Sequence, residues 1–251
     1  MAGHSKWANI KHRKAAQDKK RGKQFAKLIR AIESAAREAG AADPTASPSL
    51  ALAVQKARDA DVPKDNIERA CRRGAGEDDG GARYEPVTYE GYAPGGVAVL
   101  VDVLTDNRNR AASDVRSLFT RAGGSLAEPG AVAFLFTRRG QVLLGPGVDA
   151  DAVLDAGVDA GLEDVEPGEE GTVAWCEPGA VTDLRAALEA ADLPVVGAET
   201  TMVPTVNVRL DDAAEAGRVL RLLDALEDND DVQEVHANLD VDEGLLADVE
   251  L

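Results

Sequence analysis

Positive charge is confined to one end of this chain, and that confinement limits how it can be organised. All nine lysines lie between Lys6 and Lys64, and residues 1–76 hold 17 Lys and Arg against 8 Asp and Glu. The remaining 175 residues hold 11 basic against 37 acidic side chains. A basic segment of net charge plus 9 joined to an acidic one of minus 26 favours separate small domains over a single large one in a chain of 251 residues. The basic end suits a polyanionic partner, while the acidic remainder keeps the protein soluble and repels that partner.

Composition narrows the class of partner site. Hydrophobic residues make up 44% of the chain but aromatics only 4%, so the cores are built from Ala, Val and Leu. Nucleic-acid modules that stack bases on exposed aromatic platforms are therefore disfavoured. Cys71 and Cys176 fall in different charge regions without metal-ligand spacing, which reads as two reduced thiols and not as a disulfide framework or zinc site. The chain has no apolar run of about 18 residues, and its opening MAGHSKWANIKHRK lacks the apolar stretch of a secretory signal, so a cytoplasmic protein is expected. Beyond Lys64 every basic residue is Arg, and acids crowd Glu77-Asp78-Asp79 and Glu227-Asp228-Asn229-Asp230-Asp231. These acidic loops read as solubility background, not as a binding surface.

Helical signals dominate the basic region. Phe25, Leu28, Ile29, Ile32 and Ala36 make an apolar stripe, with Lys23, Lys27 and Arg30 on other faces, which predicts a helix from about Lys23 to Ala39 ending at Gly40. Ser47 caps a second helix whose first residue is Pro48 and whose buried face carries Leu50, Val54 and Ala57. A short helix from Lys64 to Arg73 buries Ile67, Ala70 and Cys71 and stops at Gly74. Ser5 to Arg21 has Trp7 and Ile10 as its only large apolar residues, and is expected to stay mobile until it meets a partner.

Past the Gly- and acid-rich linker Ala75 to Ala82 the pattern alternates strands and helices. Strands are predicted at Glu85–Tyr92, Val97–Leu104 and Ala131–Thr137, with a helix at Arg110–Ala122. A βαββαβ series follows: Gln141–Leu144, Asp149–Ala160, Glu163–Glu166, Thr172–Cys176, Gly179–Ala191 and Val195–Met202. A strand Thr205–Leu210, a helix Asp212–Leu226 and a strand Val232–Asn238 complete the unit left open at Thr137. The expected fold is multidomain α and α+β: a helical N-terminal domain and two ferredoxin-like α+β domains, the third inserted in the second. The boundaries are residues 1–76, then 83–138 with 204–251, and the insertion 139–203, with junctions at Arg138 and Pro204.

Chemistry is densest in the basic arm. Lys6, Lys11, Arg13, Lys14, Lys19, Lys20, Arg21 and Lys23 place eight cations in 18 residues, with Lys27 and Arg30 just beyond. On a helix such charges repel one another, so a phosphate backbone or counterions must offset them. His12 lies among these cations, and Trp7 can stack on a base or sugar. A solvated surface ordinarily mixes both signs, whereas this one holds a single acid, Asp18. A second candidate anion site is Thr105-Asp106-Asn107-Arg108-Asn109-Arg110, which follows a strand and opens a helix; Arg108 and Arg110 stand out in an acidic region, although capping and internal ion pairs account for them equally well.

Catalytic patterns are absent from the sequence. It contains no G-x-S-x-G, H-E-x-x-H, P-loop or GxGxxG pattern, and Asp240-Val241-Asp242-Glu243-Gly244 lacks the ligand spacing of a calcium loop. His236 falls on a predicted strand as a structural residue. No enzyme activity, metal or cofactor is expected.

Several long motifs together resemble one family. The opening MAGHSKWANIKHRKAAQDKKRGKQFAKLIRAI, then Val62-Pro63-Lys64-Asp65-Asn66-Ile67-Glu68-Arg69-Ala70, Tyr89-Glu90-Gly91-Tyr92-Ala93-Pro94-Gly95-Gly96-Val97 and Leu104-Thr105-Asp106-Asn107-Arg108-Asn109-Arg110, resemble the YebC family of PmpR-type regulators and their mitochondrial relatives that activate translation of cytochrome c oxidase. The resemblance covers essentially the whole chain. It implies a helical domain and two α+β domains, no catalysis, and a role as a DNA-binding transcriptional regulator. A ribosome-associated translation factor using rRNA or tRNA is the alternative it also implies, and a small-molecule sensor built on paired ferredoxin-like units is a third. In one place the sequence departs from the family: Ser47-Pro48-Ser49-Leu50-Ala51 lacks the basic residues often found beside that leucine. Phosphate contacts are thereby shifted to Lys6 through Arg30, with a smaller cluster at Lys64, Arg69, Arg72 and Arg73.

Overall fold

The structure, a computed structural model, describes residues 18–78, 83–168 and 171–241. Helix α1 spans Asp18–Ala39, beginning five residues before the expected start. Leu28, Ile32 and Ala36 are buried along it, as the stripe requires. Gly40, at φ 65°, ends it, and the Ala41 N–H reaches back to the Ala36 carbonyl. Helix α2 covers Pro48–Asp59, and its Ser47 cap accepts from the Leu50 N–H at 3.1 Å. Helix α3 covers Lys64–Ala75 and runs past the expected stop. Gly74 is buried inside it, and the left-handed residue is Gly76, where the Glu77 N–H takes the Arg72 carbonyl.

The chain divides into two compact units at Ser34/Ala35, Asp79/Gly80, Thr137/Arg138 and Met202/Val203. In the first unit, β1 (Glu85–Tyr92) and β2 (Ala98–Thr105) form an antiparallel hairpin. Helix α4 (Arg108–Arg121) and the two-residue β3 (Ser125–Leu126) follow. Later in the chain come β8 (Val208–Leu210), α7 (Ala213–Glu227), β9 (Val232–Ala237) and β10 (Leu239–Val241). Sheet order is β3-β1-β2-β9, and β8 pairs with β10 in a separate parallel ladder. Val97, Val99, Val101 and Val103 bury one sheet face against Ala111, Val115 and Phe119 of α4 and Ala216, Val219, Leu220 and Leu223 of α7.

The second unit contains α2, α3 and the strands β4 (Phe136–Leu144), β5 (Leu162–Gly168), β6 (Gly171–Cys176) and β7 (Val195–Pro204). Its helices α5 (Ala150–Gly157) and α6 (Val181–Ala190) cross over between strands. The strand order β5-β6-β4-β7 is that of a ferredoxin-like sheet. Val142, Leu144, Val153, Ala174, Val181, Leu184 and Leu188 form its core, against which Leu52 of α2 packs. Arg185 of α6 grips Asp59 of α2 with two bonds of 2.6 and 2.9 Å, a bidentate pair that fastens the helix in place. Cys71 and Cys176 are buried and free. Burial raises both thiols, Cys176 to about 11.

One predicted strand does not form. The apolar run Ala131–Thr137 is instead a turn and a short 3-10 segment at Ala133–Leu135, and β4 begins at Phe136 and continues unbroken through Arg138. The reason is Glu90: its buried carboxylate accepts from the backbone N–H groups of Gly130, Val132 and Ala133 at 2.6, 2.7 and 2.8 Å. Donors that a ladder would need are committed to a side chain.

Burial alone would raise the Glu90 carboxyl, but the three backbone donors outweigh it and hold its pKa below the ordinary glutamate range. Stabilisation from a depressed carboxyl is complete above the unfolded value, about 4.3, and fades as pH falls through the folded pKa. Glu90→Gln is therefore expected to cost about 1–3 kcal/mol near neutral pH, with the difference from the parent shrinking in acid. Denaturant unfolding at neutral pH and in acid below the ordinary glutamate range measures this, and an equal cost in both would contradict it.

Candidate nucleic-acid interface

The twelve residues expected to contact nucleic acid fall into three groups. Lys6, Trp7, Lys11, His12, Arg13 and Lys14 lie outside the described residues. The backbone of Lys19, Lys20 and Arg21 belongs to the first turns of α1. Lys23, Lys27 and Arg30 follow at i, i+4 and i+7, which sets them in one stripe along the helix.

That stripe meets the acidic segment at the end of α7. Lys23 Nζ donates to the Asp228 carbonyl at 3.0 Å, Lys27 Nζ to the Glu227 carbonyl, and the Arg30 guanidinium to the Asp230 carbonyl. Arg30 also lies 3.5 Å from an Asp231 carboxylate oxygen and 5.7 Å from the centre of the Tyr84 ring. These carbonyls lie at and just beyond the C-terminus of α7, where unpaired acceptors and the helix dipole concentrate negative charge. The sequence reading treated Glu227 to Asp231 as background. Two local signals mark the segment: a helix C-terminus followed by acids, and three cations spaced to share one face of another helix.

Asp231 is the centre of the arrangement, with only 7% of its surface exposed. Its carboxylate accepts from the Thr105 hydroxyl at 2.9 Å and from Arg110 at 2.7 Å. Arg110 donates to Asp106 as well, at 2.8 Å, and hydrogen bonds to Asp231 and then Asp106 raise its pKa further above the usual arginine range. Asn107 caps α4 by accepting from the Arg110 N–H at 3.1 Å. Of the two arginines in the candidate anion site, Arg110 is thus held by two carboxylates. Arg108 is 67% exposed with Glu85 at 4.0 Å, and its carbonyl accepts from the Tyr89 hydroxyl.

Two residues of the smaller basic cluster are also paired with nearby acids. Arg72 meets Asp78 at 3.2 Å and Lys64 meets Glu68 at 3.6 Å. Where the sequence lacks basic residues, the Ser47 and Ser49 hydroxyls bond each other at 2.8 Å at the start of α2. His236 is buried on β9, 3.5 Å from Asp102 and 3.6 Å from Glu234. Among the described residues no three His, Cys, Asp or Glu side chains converge as a metal site, and no helix is long and apolar enough to cross a membrane.

Comparison with known proteins gives consistent results along the full chain. Residues 5–77 match the TACO1/YebC protein N-terminal domain, and residues 84–239 match the TACO1/YebC second and third domain. A relative in Acidothermus cellulolyticus is 56% identical over 99% of this chain and 100% of its own length, and one in Rubrobacter xylanophilus is 54% identical over 99% of each. Both are named "Probable transcriptional regulatory protein". The crystal structure of the conserved hypothetical protein Aq1575 from Aquifex aeolicus matches with a TM-score of 0.85 and 44% identity, over 95% of this chain and 98% of that one.

Truncating Asp231 would leave Arg30, Arg110 and Thr105 without a shared buried acceptor. Asp231→Ala is expected to lower stability by about 2–4 kcal/mol, whereas Arg108→Ala should cost under about 0.5 kcal/mol. Urea unfolding of the two variants checks the contrast, and similar losses would show that Asp231 is not the organising group.

Proposed function

The chain belongs to the TACO1/YebC family, and from that we propose that it is a non-enzymatic, DNA-binding regulator of transcription working in the cytoplasm. The observation that carries this reading is the density of cations from Lys6 to Arg30 in a protein whose net charge is minus 17. Selection against a positive surface elsewhere and for one here is what a phosphate-binding arm on a soluble body requires. A regulatory role is further supported by the names of relatives at 54–56% identity over nearly the whole chain.

In this reading Lys6, Lys11, Arg13, Lys14, Lys19, Lys20 and Arg21 contact phosphates, with Trp7 and His12 placed among them to stack or donate. Residues 1–76 form the nucleic-acid module. Residues 83–138 with 204–251, and the inserted 139–203, are the two α+β domains that position it, a division supported by two separate four-stranded sheets. Phosphate contacts fix position without reading sequence, so target choice depends on groove shape or on a protein partner of the acidic domains.

The decisive quantity is the salt dependence of binding. Replacing Lys19, Lys20 and Arg21 together by Ala should reduce the slope of log affinity against log salt on duplex DNA by up to about 0.9 per lost contact. An unchanged slope would remove this cluster from the site. Footprinting on promoter DNA tests the transcriptional assignment, and cosedimentation with ribosomes that is lost on deleting residues 1–24, without any promoter footprint, would overturn it.

A further inference from the structure

We infer that the acidic end of α7 is a built-in competitor for nucleic acid, holding the cationic stripe of α1 and yielding Lys23 and Lys27 to phosphate when DNA arrives. The inference rests on the proposed nucleic-acid reading and adds regulation to that site. Its basis is that three consecutive stripe residues are matched one to one with acceptors in a single acidic segment: Lys23 with Asp228, Lys27 with Glu227 and Arg30 with Asp230. Carbonyl oxygens at a helix C-terminus carry partial negative charge and lie among the acidic residues Glu227, Asp228, Asp230 and Asp231, so they compete for the same lysine donors as phosphodiester oxygens.

The grip is graded along the helix, and the grading says which contacts exchange. The carbonyl bonds of Lys23 and Arg30 are exposed and that of Lys27 is part-buried, so the grading lies in what else holds each residue. Contacts between flexible lysines and surface acceptors contribute little, so phosphates at high local density can displace them. Arg30 has a stronger hold, with Tyr84 and Asp231 both beside it, and Asp231 is itself fixed by Arg110 and Thr105. Exchange therefore proceeds from the arm toward Arg30 and stops there. Arg30 becomes the fixed end of the stripe, while Lys23 and Lys27 alternate between the acidic segment and DNA.

Tethering tests this directly. In a Lys23→Cys/Asp228→Cys variant of the full chain, a short bismaleimide joins the two positions; the same variant capped with N-ethylmaleimide on each thiol is the control for lost charge and added bulk. The tethered form should bind a short mixed-sequence DNA duplex at least about threefold more weakly than the capped form, with a salt slope smaller by about 0.9 because Lys27 is withheld. Conversely, Asp228→Asn/Asp230→Asn, which leaves Asp231 in place, should tighten binding roughly two- to fivefold. Equal affinity of tethered and capped forms, or weaker binding by the Asn variant, overturns the competitor and leaves a fixed clamp. If the unmodified chain binds neither duplex DNA nor single-stranded RNA, the nucleic-acid reading itself fails, and this inference with it.

Discussion

A single buried carboxylate, Asp231, fixes how the corners of the first unit meet. A carboxylate removed from water is tolerated only where charged or donating partners replace its hydration. Here the partners come from three places: Thr105 at the end of β2, Arg110 in the first turn of α4, and Arg30 on α1. Its backbone takes part too, since the Leu104 N–H donates to the Asp231 carbonyl at 2.8 Å. Strand, corner and helix are therefore registered against one residue that immediately precedes β9. The valine face of β2 and the apolar faces of α4 and α7 supply most of the burial in this unit, but burial is non-directional. The polar node supplies the directional contacts, among them the one that ties Arg30 of α1 to the residue before β9.

Much of the fold was legible because local signals and burial agreed. The stripe Leu28, Ile32, Ala36, the Ser47-Pro48 start and the buried set Ile67, Ala70, Cys71 are read directly from spacing and capping chemistry. The βαββαβ series from Gln141 to Met202 was equally clear, and its strands assemble in the ferredoxin-like order. The failures share a cause. Ala131–Thr137 has strand composition, but Glu90, some forty residues earlier, captures its amides. The ladder of β8 with β10 is a parallel pairing between segments about thirty residues apart, and β3 is two residues long. Periodicity reports what a segment does alone, and these depend on a distant partner.

The candidate site divides the same way. Lysine and arginine density in the sequence singles out Lys6 to Arg30 as the cationic stretch of the chain, since composition is a local property. What composition hid was the destination of the charges. Arg110 stood out as an arginine in acidic surroundings, yet those surroundings include Asp106 and Asp231, which hold it. Likewise, an acidic loop dismissed as solubility background turns out to receive Lys23, Lys27 and Arg30. A surplus of one sign in sequence indicates a field; only the folded chain shows how much of that field is already neutralised.

That neutralisation bears on how a strongly acidic protein could hold the polyanion proposed for it. At physiological ionic strength charges are screened beyond about 8 Å, so the total minus 17 matters less than the charges within one screening length of the bound phosphates. Of the ten cations between Lys6 and Arg30, seven precede Lys23, and three face the end of α7. The acidic segment thus meets the last three cations of the stretch, Lys23, Lys27 and Arg30. Along the sequence, positive charge is densest ahead of Lys23, and the acids at the end of α7 offset it from Lys23 to Arg30. Under the proposed function, a phosphate backbone would be drawn to the cations ahead of Lys23, which is how two oppositely charged parts of one chain can serve a single binding role.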